Sequence, residues 1–533
     1  MLVKNKFILL SIIILNWNPQ QLFAQELRGE KCGTFFTYTE RLQQRKTNKT
    51  EEALSRVRPQ NQISVHSPSG KFRIHFDTTG AQAAAMVDAD GTPIPNTSFQ
   101  FADTAAKIFD AVWKTEVTSF GFLPPPPDNN RGGGDEYDIY IIEKGQNTFG
   151  ETWIEDDISL DPGKINPRSP TFIEIDNDFG VGFRTKGIAA VLATAAHEFH
   201  HAIQVGGYGV WNDDFYFYEL SAESMESTVF PSSKDYLHDV KKYFNNIENI
   251  SLYSPFSAAT PGYERAIWGL YLIKKYNISL LRQIWEEVVN VKPLNAMINV
   301  FKNHSTSLGM EFVEFSSWNF YTGSRADTIR YYTDGKLFPP IAMNQDSLIG
   351  NYASVSFQKP CKTFSASYIQ IKRSADTAFC IVANVNDNDA NAAVVNSYVY
   401  TISATNTGGP PTNGLSLRFI VNDASNWKFT SLAKSNNYPE NSATVFPNPF
   451  NPTKNSLYIS YEDLSPTTLE LSIYTSSYDL VYSNAPRTNY FFGKEYVVWN
   501  GTTNKGDVAA SGVYYYVLSN GEKHFTGKFA VVR

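Results

Sequence analysis

The sequence is poor in cysteine, with three in 533 residues. That excludes a disulfide-dense scaffold and any zinc module built from cysteine alone. It also lacks an excess of basic charge. Lys and Arg number 46 against 53 Asp and Glu, a formal net charge of −7, so the strongly basic face of a general nucleic-acid binder is missing. Beyond the N-terminus, no stretch reaches the roughly 18 apolar residues of a bilayer-spanning helix. Charged residues make up 19% and apolar residues 42%, which excludes wholesale disorder. Gly (33) and Pro (27) are too few for a collagen-like or linker-dominated chain.

Aromatic residues, by contrast, reach 14%, which suits a strand-rich protein. The length predicts about three to four domains. The chain opens with a charged Met1-Leu2-Val3-Lys4-Asn5-Lys6, an apolar run from Phe7 to Leu15, and Leu22-Phe23-Ala24 before Gln25. This is the layout of a secretory signal peptide over 1–25, and it predicts a secreted or cell-surface mature chain with no transmembrane anchor. In an oxidising space Cys361 and Cys380 can pair, leaving Cys32 odd.

Residues 26–65 are polar and read as a prosegment or an N-terminal extension of the domain that follows. That domain runs to about 335. Strands are expected at Phe72–Phe76, Tyr137–Ile142 and Thr171–Ile175. Helices are expected at about 102–117, 187–205 (stopped by Gly206-Gly207), 216–229, 264–276 and 279–291. From Pro339 onward short alternating strands separated by Asn, Asp, Gly and Pro predict β-sandwich modules over 336–440 and 445–533. The predicted class is a multidomain chain, an α+β domain followed by two all-β modules.

Within the 187–205 helix lies His197-Glu198-Phe199-His200-His201. His197 and His201 are four apart, so both rings leave one helical face about a turn apart. That spacing suits two nitrogen ligands of one Zn2+, with Glu198 placed as general base toward a water. Ile188, Val191, Leu192, Ala195, Phe199, Ala202 and Ile203 form a separate apolar face, so core packing does not account for the histidine pair. His200 is read as a neighbour of the site. A third protein ligand is required. The metzincin solution needs a glycine at position 204 and a histidine at position 207; Gln204 and Gly207 stand there instead. The next helix places Glu219, Glu223 and Glu226 on one face. Glu219 is assigned as the third ligand and Glu223 as the carboxylate that fixes a ligand imidazole from behind.

His197-Glu198-x-x-His201 followed by Glu219-x-x-Ala222-Glu223 resembles the gluzincin metallopeptidases, the thermolysin-like and aminopeptidase-like group. The stretch from about 72 to 330 is similar to a family of secreted bacterial metalloproteases. The matching pieces are Gly121-Phe122-Leu123-Pro124-Pro125, Tyr137-Asp138-Ile139-Tyr140, Thr194 to Gln204, Tyr218-Glu219-Leu220-Ser221-Ala222 and Ala266 to Leu272. The resemblance implies a zincin-like catalytic domain, a glutamate completing the zinc shell, and an edge strand above the cleft that holds extended peptide or protein substrate. By resemblance Thr171–Ile175 is that strand and Tyr263 the donor to the oxyanion, with an aromatic packing role as its equal alternative. The 17 residues between His201 and Glu219 are one fewer than in the aminopeptidase pattern, and Gly-x-Met-x-Asn is absent, so an endopeptidase is preferred to an exopeptidase.

Two weaker signals remain. Asp88-Ala89-Asp90-Gly91 has the start of a Ca2+ loop but lacks its later ligands, so an ordinary turn is favoured. Cys32 is read as structural or disulfide-forming in preference to a thiolate capping the zinc in a latent form.

Residues 445–533 read independently as a small antiparallel sandwich with turns at Asn500-Gly501 and Asn520-Gly521. Phe446-Pro447-Asn448-Pro449-Phe450-Asn451-Pro452, Val498-Trp499-Asn500-Gly501 and Ser511 to Val517 resemble the C-terminal sorting domain of the type IX secretion pathway, which implies the outer-membrane secretion machinery as a partner. The expectation is a secreted zinc endopeptidase. Its rivals are an inactive surface adhesion or carbohydrate-binding protein, and a zinc amidase acting on cell-wall peptide.

Overall fold

In a computed structural model the described residues are 31–47 and 57–533, less short interruptions that become frequent between 343 and 444. The signal-peptide expectation (1–25) lies outside them. So do the side chains of Cys361 and Cys380, and with them the expected pairing. The chain is multidomain and α+β. It divides into two compact units, Met1–Val240 with Ser254–Val300, and Lys241–Tyr253 with Phe301–Arg533.

The first unit is built on a five-stranded sheet of β1 (Ile63–His66), β2 (Phe72–Phe76), β3 (Tyr137–Ile142), β4 (Gly150–Ile154) and β5 (Thr171–Asp176), in the order β1-β2-β3-β5-β4. The β2–β3 and β3–β5 pairs are parallel, while β1 and β4 run antiparallel at the two edges. Thr171–Asp176 is thus an interior strand, and the expected edge strand is corrected to Gly150–Ile154. All six residues of β5 are buried, as befits a strand covered on both faces. Five short residues with no polar alternation gave β4 no periodic signal.

Helices α1 (Thr34–Thr47), α2 (Ser98–Trp113), α3 (Gly187–Ile203), α4 (Phe215–Val229), α5 (Leu237–Asn245), α6 (Ala266–Tyr276) and α7 (Ile278–Val288) follow in chain order. Phe72 shows how sheet and helices close. Its ring lies 5.4 Å from Phe109 and 5.8 Å from Trp113 on or beside α2, and 5.3 Å from Phe199 on α3. Burying each such ring contributes roughly 1.5–3 kcal/mol. The α3 helix does not stop at Gly206-Gly207. It widens into a π turn over Gln204–Tyr208 and ends at Gly209, whose φ is +90°. The glycine pair serves a close approach instead: a Cβ at Gly206 would stand 2.4 Å from Pro126, so the Pro-rich loop can lie against this turn.

The second unit begins earlier than the expected border near 335. Helix α8 (Pro293–Asn303) spans the division, and α9 (Leu308–Phe320) belongs with the β strands that follow. Tyr368 donates to the Ser316 carbonyl at 2.7 Å, and Phe312 meets Phe364 edge-on. Strands between 344 and 434 form a three-stranded and a four-stranded sheet. The strands of 445–533 form two four-stranded antiparallel sheets, one in the order Val445–Phe446, Leu457–Ser460, Lys494–Trp499, Arg487–Phe491 and the other in the order Leu480–Asn484, Glu470–Thr475, Gly512–Ser519, His524–Val531, closed over Phe450, Trp499 and Phe529. Lys494–Trp499 and Gly512–Ser519 lie in different sheets, so Asn500-Gly501 begins a crossing between sheets rather than a hairpin. Gly512–Ser519 and His524–Val531 pair antiparallel, and Gly521 of the expected turn lies outside the described residues. Among the described residues no helix is long and apolar enough to cross a membrane.

Candidate metal centre

The two histidines of α3 and the first glutamate of α4 converge. His197 Nε2 lies 3.1 Å from His201 Nε2 and 3.2 Å from Glu219 Oε2, and His201 Nε2 lies 3.3 Å from the same oxygen. All three residues are fully or almost fully buried. Donor atoms at these separations are edges of a tetrahedron whose centre is about 2 Å from each corner, the usual Zn–N and Zn–O length. Glu219 Oε1 is buried with no hydrogen-bond partner. Two imidazole lone pairs and a carboxylate facing one another away from water are costly unless a cation lies among them. The residues present therefore fit a zinc ion. Burial opposes the charge of Glu219, but His201 and His197 overcome it and hold its pKa below the ordinary carboxylate value.

Each ring is oriented from behind. Gln204, the first residue of the π turn, accepts His201 Nδ1–H at 2.7 Å, and its Nε2 donates to the Tyr218 carbonyl and to Ser221 Oγ. This leaves the lone pair of His201 on Nε2, the atom that could ligate a metal, and ties α3 to α4. His197 Nδ1 faces Glu223 Oε2 at 3.2 Å and Glu226 Oε1 at 3.3 Å. Burial and the neighbouring Glu226 push the Glu223 carboxyl up to about 8, against the pull of Lys31. Lys31 Nζ lies 3.2 Å from Glu223 and 2.7 Å from Asp235, and also pairs with Glu226. Burial alone would lower the Lys31 pKa, but the three carboxylates raise it well above its ordinary value. Arg184 shares Asp235 and adds Asp239.

Glu198 sits beside the cluster. Its Oε2 receives a hydrogen bond from Thr34 at 3.1 Å and has Thr152 Oγ1 of β4 at 2.8 Å. Gly150 makes this approach of strand to helix feasible, since a Cβ there would stand 2.6 Å from Thr194 and 3.0 Å from Glu198. Tyr263 is buried with its ring 5.8 Å from that of His197, and its hydroxyl donates to the Cys32 carbonyl at 3.1 Å. His200 faces away. It meets Glu116 Oε2 at 2.7 Å, between Phe122 and Trp285, and burial drives both members of that pair toward their neutral forms.

The Asp88–Gly91 stretch is a self-contained turn. The Asp88 carboxylate already accepts the N–H groups of Asp90 and Thr92, and Lys186 takes the Asp90 carbonyl. Three parts of the site were not assigned from the sequence: Lys31 to Thr34, of which Cys32 alone was weighed and read as structural or disulfide-forming; Thr152; and the Gln204 brace. The first two reach the site only through long-range folding. Gln204 did carry a signal, standing three residues after His201 on the same face.

No family model matches the chain, and no curated protein matches it. Among solved structures it is similar to PorZ, described as an essential bacterial surface component of the type IX secretion system of the human oral-microbiomic Porphyromonas gingivalis. The identity is 12%, over 32% of this chain and 37% of that one, with a TM-score of 0.14. The likeness thus spans little more than a third of that chain, and at that score it bears on neither fold nor function.

Proposed function

We propose that the chain is a secreted zinc-dependent endopeptidase of the gluzincin kind. The observation that carries this reading is the convergence of His197 Nε2, His201 Nε2 and Glu219 Oε2 within 3.3 Å of one another, with Glu198 alongside. Zinc, when bound, supplies the Lewis acidity that makes water nucleophilic near neutral pH and polarises a carbonyl. The chain's own groups do the rest. Glu198 takes the proton of the attacking water and returns it to the leaving amine. Thr152 fixes the rotamer of that carboxylate. Tyr263, whose hydroxyl here meets the Cys32 carbonyl, would donate instead to the oxyanion formed from a substrate carbonyl. Glu223 and Gln204 keep the two imidazoles in their ligating orientation. The antiparallel edge strand Gly150–Ile154 would offer main-chain groups to an extended peptide once its contacts with Gly33, Thr34 and Arg41 are released.

Export by the type IX pathway is part of the same proposal, through an N-terminal signal peptide and residues 445–533. It is supported by the sequence motifs of that stretch and by its two-sheet antiparallel build. Deleting 445–533 is expected to trap the protein inside the cell envelope.

The deciding experiment pairs zinc content with cleavage of casein, an unstructured substrate. One zinc per chain with cleavage abolished by a chelator supports the reading. Bound zinc with no hydrolysis of casein or of a broad peptide library, both before and after alkylation of the chain's thiols, would transfer it to the surface-binding alternative.

A further inference from the structure

We infer that Lys31–Thr34 holds this site latent, with the Cys32 thiolate as the fourth zinc ligand. This rests on the metallopeptidase reading above and deepens it. A structural cysteine would be expected among apolar side chains. Cys32 is fully buried, yet its Sγ belongs to a group with ligand atoms of His197, His201 and Glu219 that all lie within 4.8 Å of one another. Its other polar neighbour is Thr34 Oγ1, at 3.1 Å. Glu219 Oε1 is likewise buried with no hydrogen-bond partner. A thiolate added to two imidazoles and a carboxylate gives a closed four-coordinate set, the arrangement of structural rather than catalytic zinc.

The residues around Cys32 engage every other group that hydrolysis would need. Thr34 donates to the general base Glu198 at 3.1 Å, and the Cys32 carbonyl takes the Tyr263 hydroxyl at 3.1 Å. Main-chain bonds Gly33 N to Gly150 O (3.1 Å) and Phe149 N to Lys31 O (2.8 Å) occupy the beginning of the edge strand. Gly33 fits where a Cβ would meet the Glu151 carboxyl at 2.9 Å. Lys31 is the anchor, its buried ammonium held by three carboxylates. Helix α1 continues along the same strand, with the Phe35 ring 5.1 Å from that of His201 and Arg41 donating to the Ile154 carbonyl at 2.8 Å. One tetrapeptide thus covers the metal corner, the base, the oxyanion donor and the substrate strand at once, which reverses the sequence-based preference for a structural Cys32.

Opening involves no electron transfer. Cys32 would leave the ligand set by taking a proton from solvent on Sγ, and water would take its place beside His197, His201 and Glu219. Removal of the segment, or capture of the thiol by an alkylating reagent, would drive this exchange.

The test uses cobalt(II) as the probe in the full chain, with Cys361→Ser and Cys380→Ser so that Cys32 is the sole thiol. The expected result is one cobalt per chain with a near-ultraviolet thiolate-to-cobalt absorption band. Adding Cys32→Ser is expected to abolish that band and keep the visible cobalt spectrum of the two histidines and Glu219. Cobalt bound without the band in the chain that retains Cys32 overturns the latency proposal and leaves the three-ligand site standing. No cobalt bound in either chain overturns the metal site and the latency proposal together.

Discussion

The Gln204 side-chain oxygen accepts the Nδ1–H of His201 at 2.7 Å, while its amide nitrogen reaches Tyr218 and Ser221 on the glutamate helix. One amide thereby sets the tautomer of a ligand and the spacing of the two helices that supply the site. Gln204→Leu is expected to weaken zinc affinity by about 10–100-fold, the usual effect of losing an outer partner of a ligating histidine. Competition with a chromophoric chelator measures it. Gln204→Glu keeps an acceptor for the imidazole and should retain more affinity than Gln204→Leu. Equal affinities for all three chains would show that the amide has no such role.

Glu198→Gln preserves shape and the Thr152 contact but cannot take a proton. Hydrolysis of casein, under conditions where the parent chain cleaves it, is expected to fall by about 10²–10⁴-fold with zinc content unchanged. Unaltered turnover in that variant refutes Glu198 as base.

Lys31 lies between Glu223, Glu226 and Asp235 in a site from which water is excluded. Lys31→Met leaves three buried carboxylates with Arg184 and the His197 ring as their remaining basic neighbours among the described residues, so a loss of about 3 kcal/mol in unfolding free energy is expected. Urea unfolding followed by tryptophan fluorescence reads the first unit, which contains the buried Trp268 and Trp285. The same substitution should make α1 more open to proteolysis, because the anchor of the segment is gone. A change below about 0.5 kcal/mol, the scale of an ordinary surface substitution, would contradict this.

Asp176, at the end of β5, is raised by burial to about 7 despite backbone N–H groups of Phe179, Asp178 and Lys144 that favour its charged form. The unfolded chain releases this proton near 3.8, so between about 4 and 7 the folded state binds more protons than the unfolded one. Stability from this group therefore falls as pH rises through that window and is constant above it. Asp176→Asn is expected to flatten the pH dependence of unfolding free energy there, by roughly 2–4 kcal/mol across the window. An unchanged slope would mean that the carboxyl is ionised throughout.

The cluster of His197, His201 and Glu219 was legible because helical spacing alone puts His197 and His201 on one face and Glu219, Glu223 and Glu226 on another, whatever the rest of the chain does. Gly206-Gly207 misled because a glycine pair reads as a stop, whereas here it clears space for Leu123 to Pro126. The edge strand was misplaced because apolar runs declare a buried strand, and Thr171–Asp176 is buried on every side; the true edge at Gly150–Ile154 is short and likewise buried. Lys31 to Thr34 carried no local signal. Its contacts with Glu198, Glu223 and Tyr263 span 164 to 231 residues of sequence, a relation that only the folded chain creates. The partition of the second unit was obscured for the same reason, since α9 earns its place by packing on strands that follow it.

Metal analysis of the purified chain beside His201→Ala and Glu219→Ala tests the central claim most directly. One tightly held zinc per parent chain, with little or none surviving dialysis in either variant, is the predicted result. A parent chain free of zinc after saturation and dialysis, or variants that keep it as well as the parent does, would contradict the account.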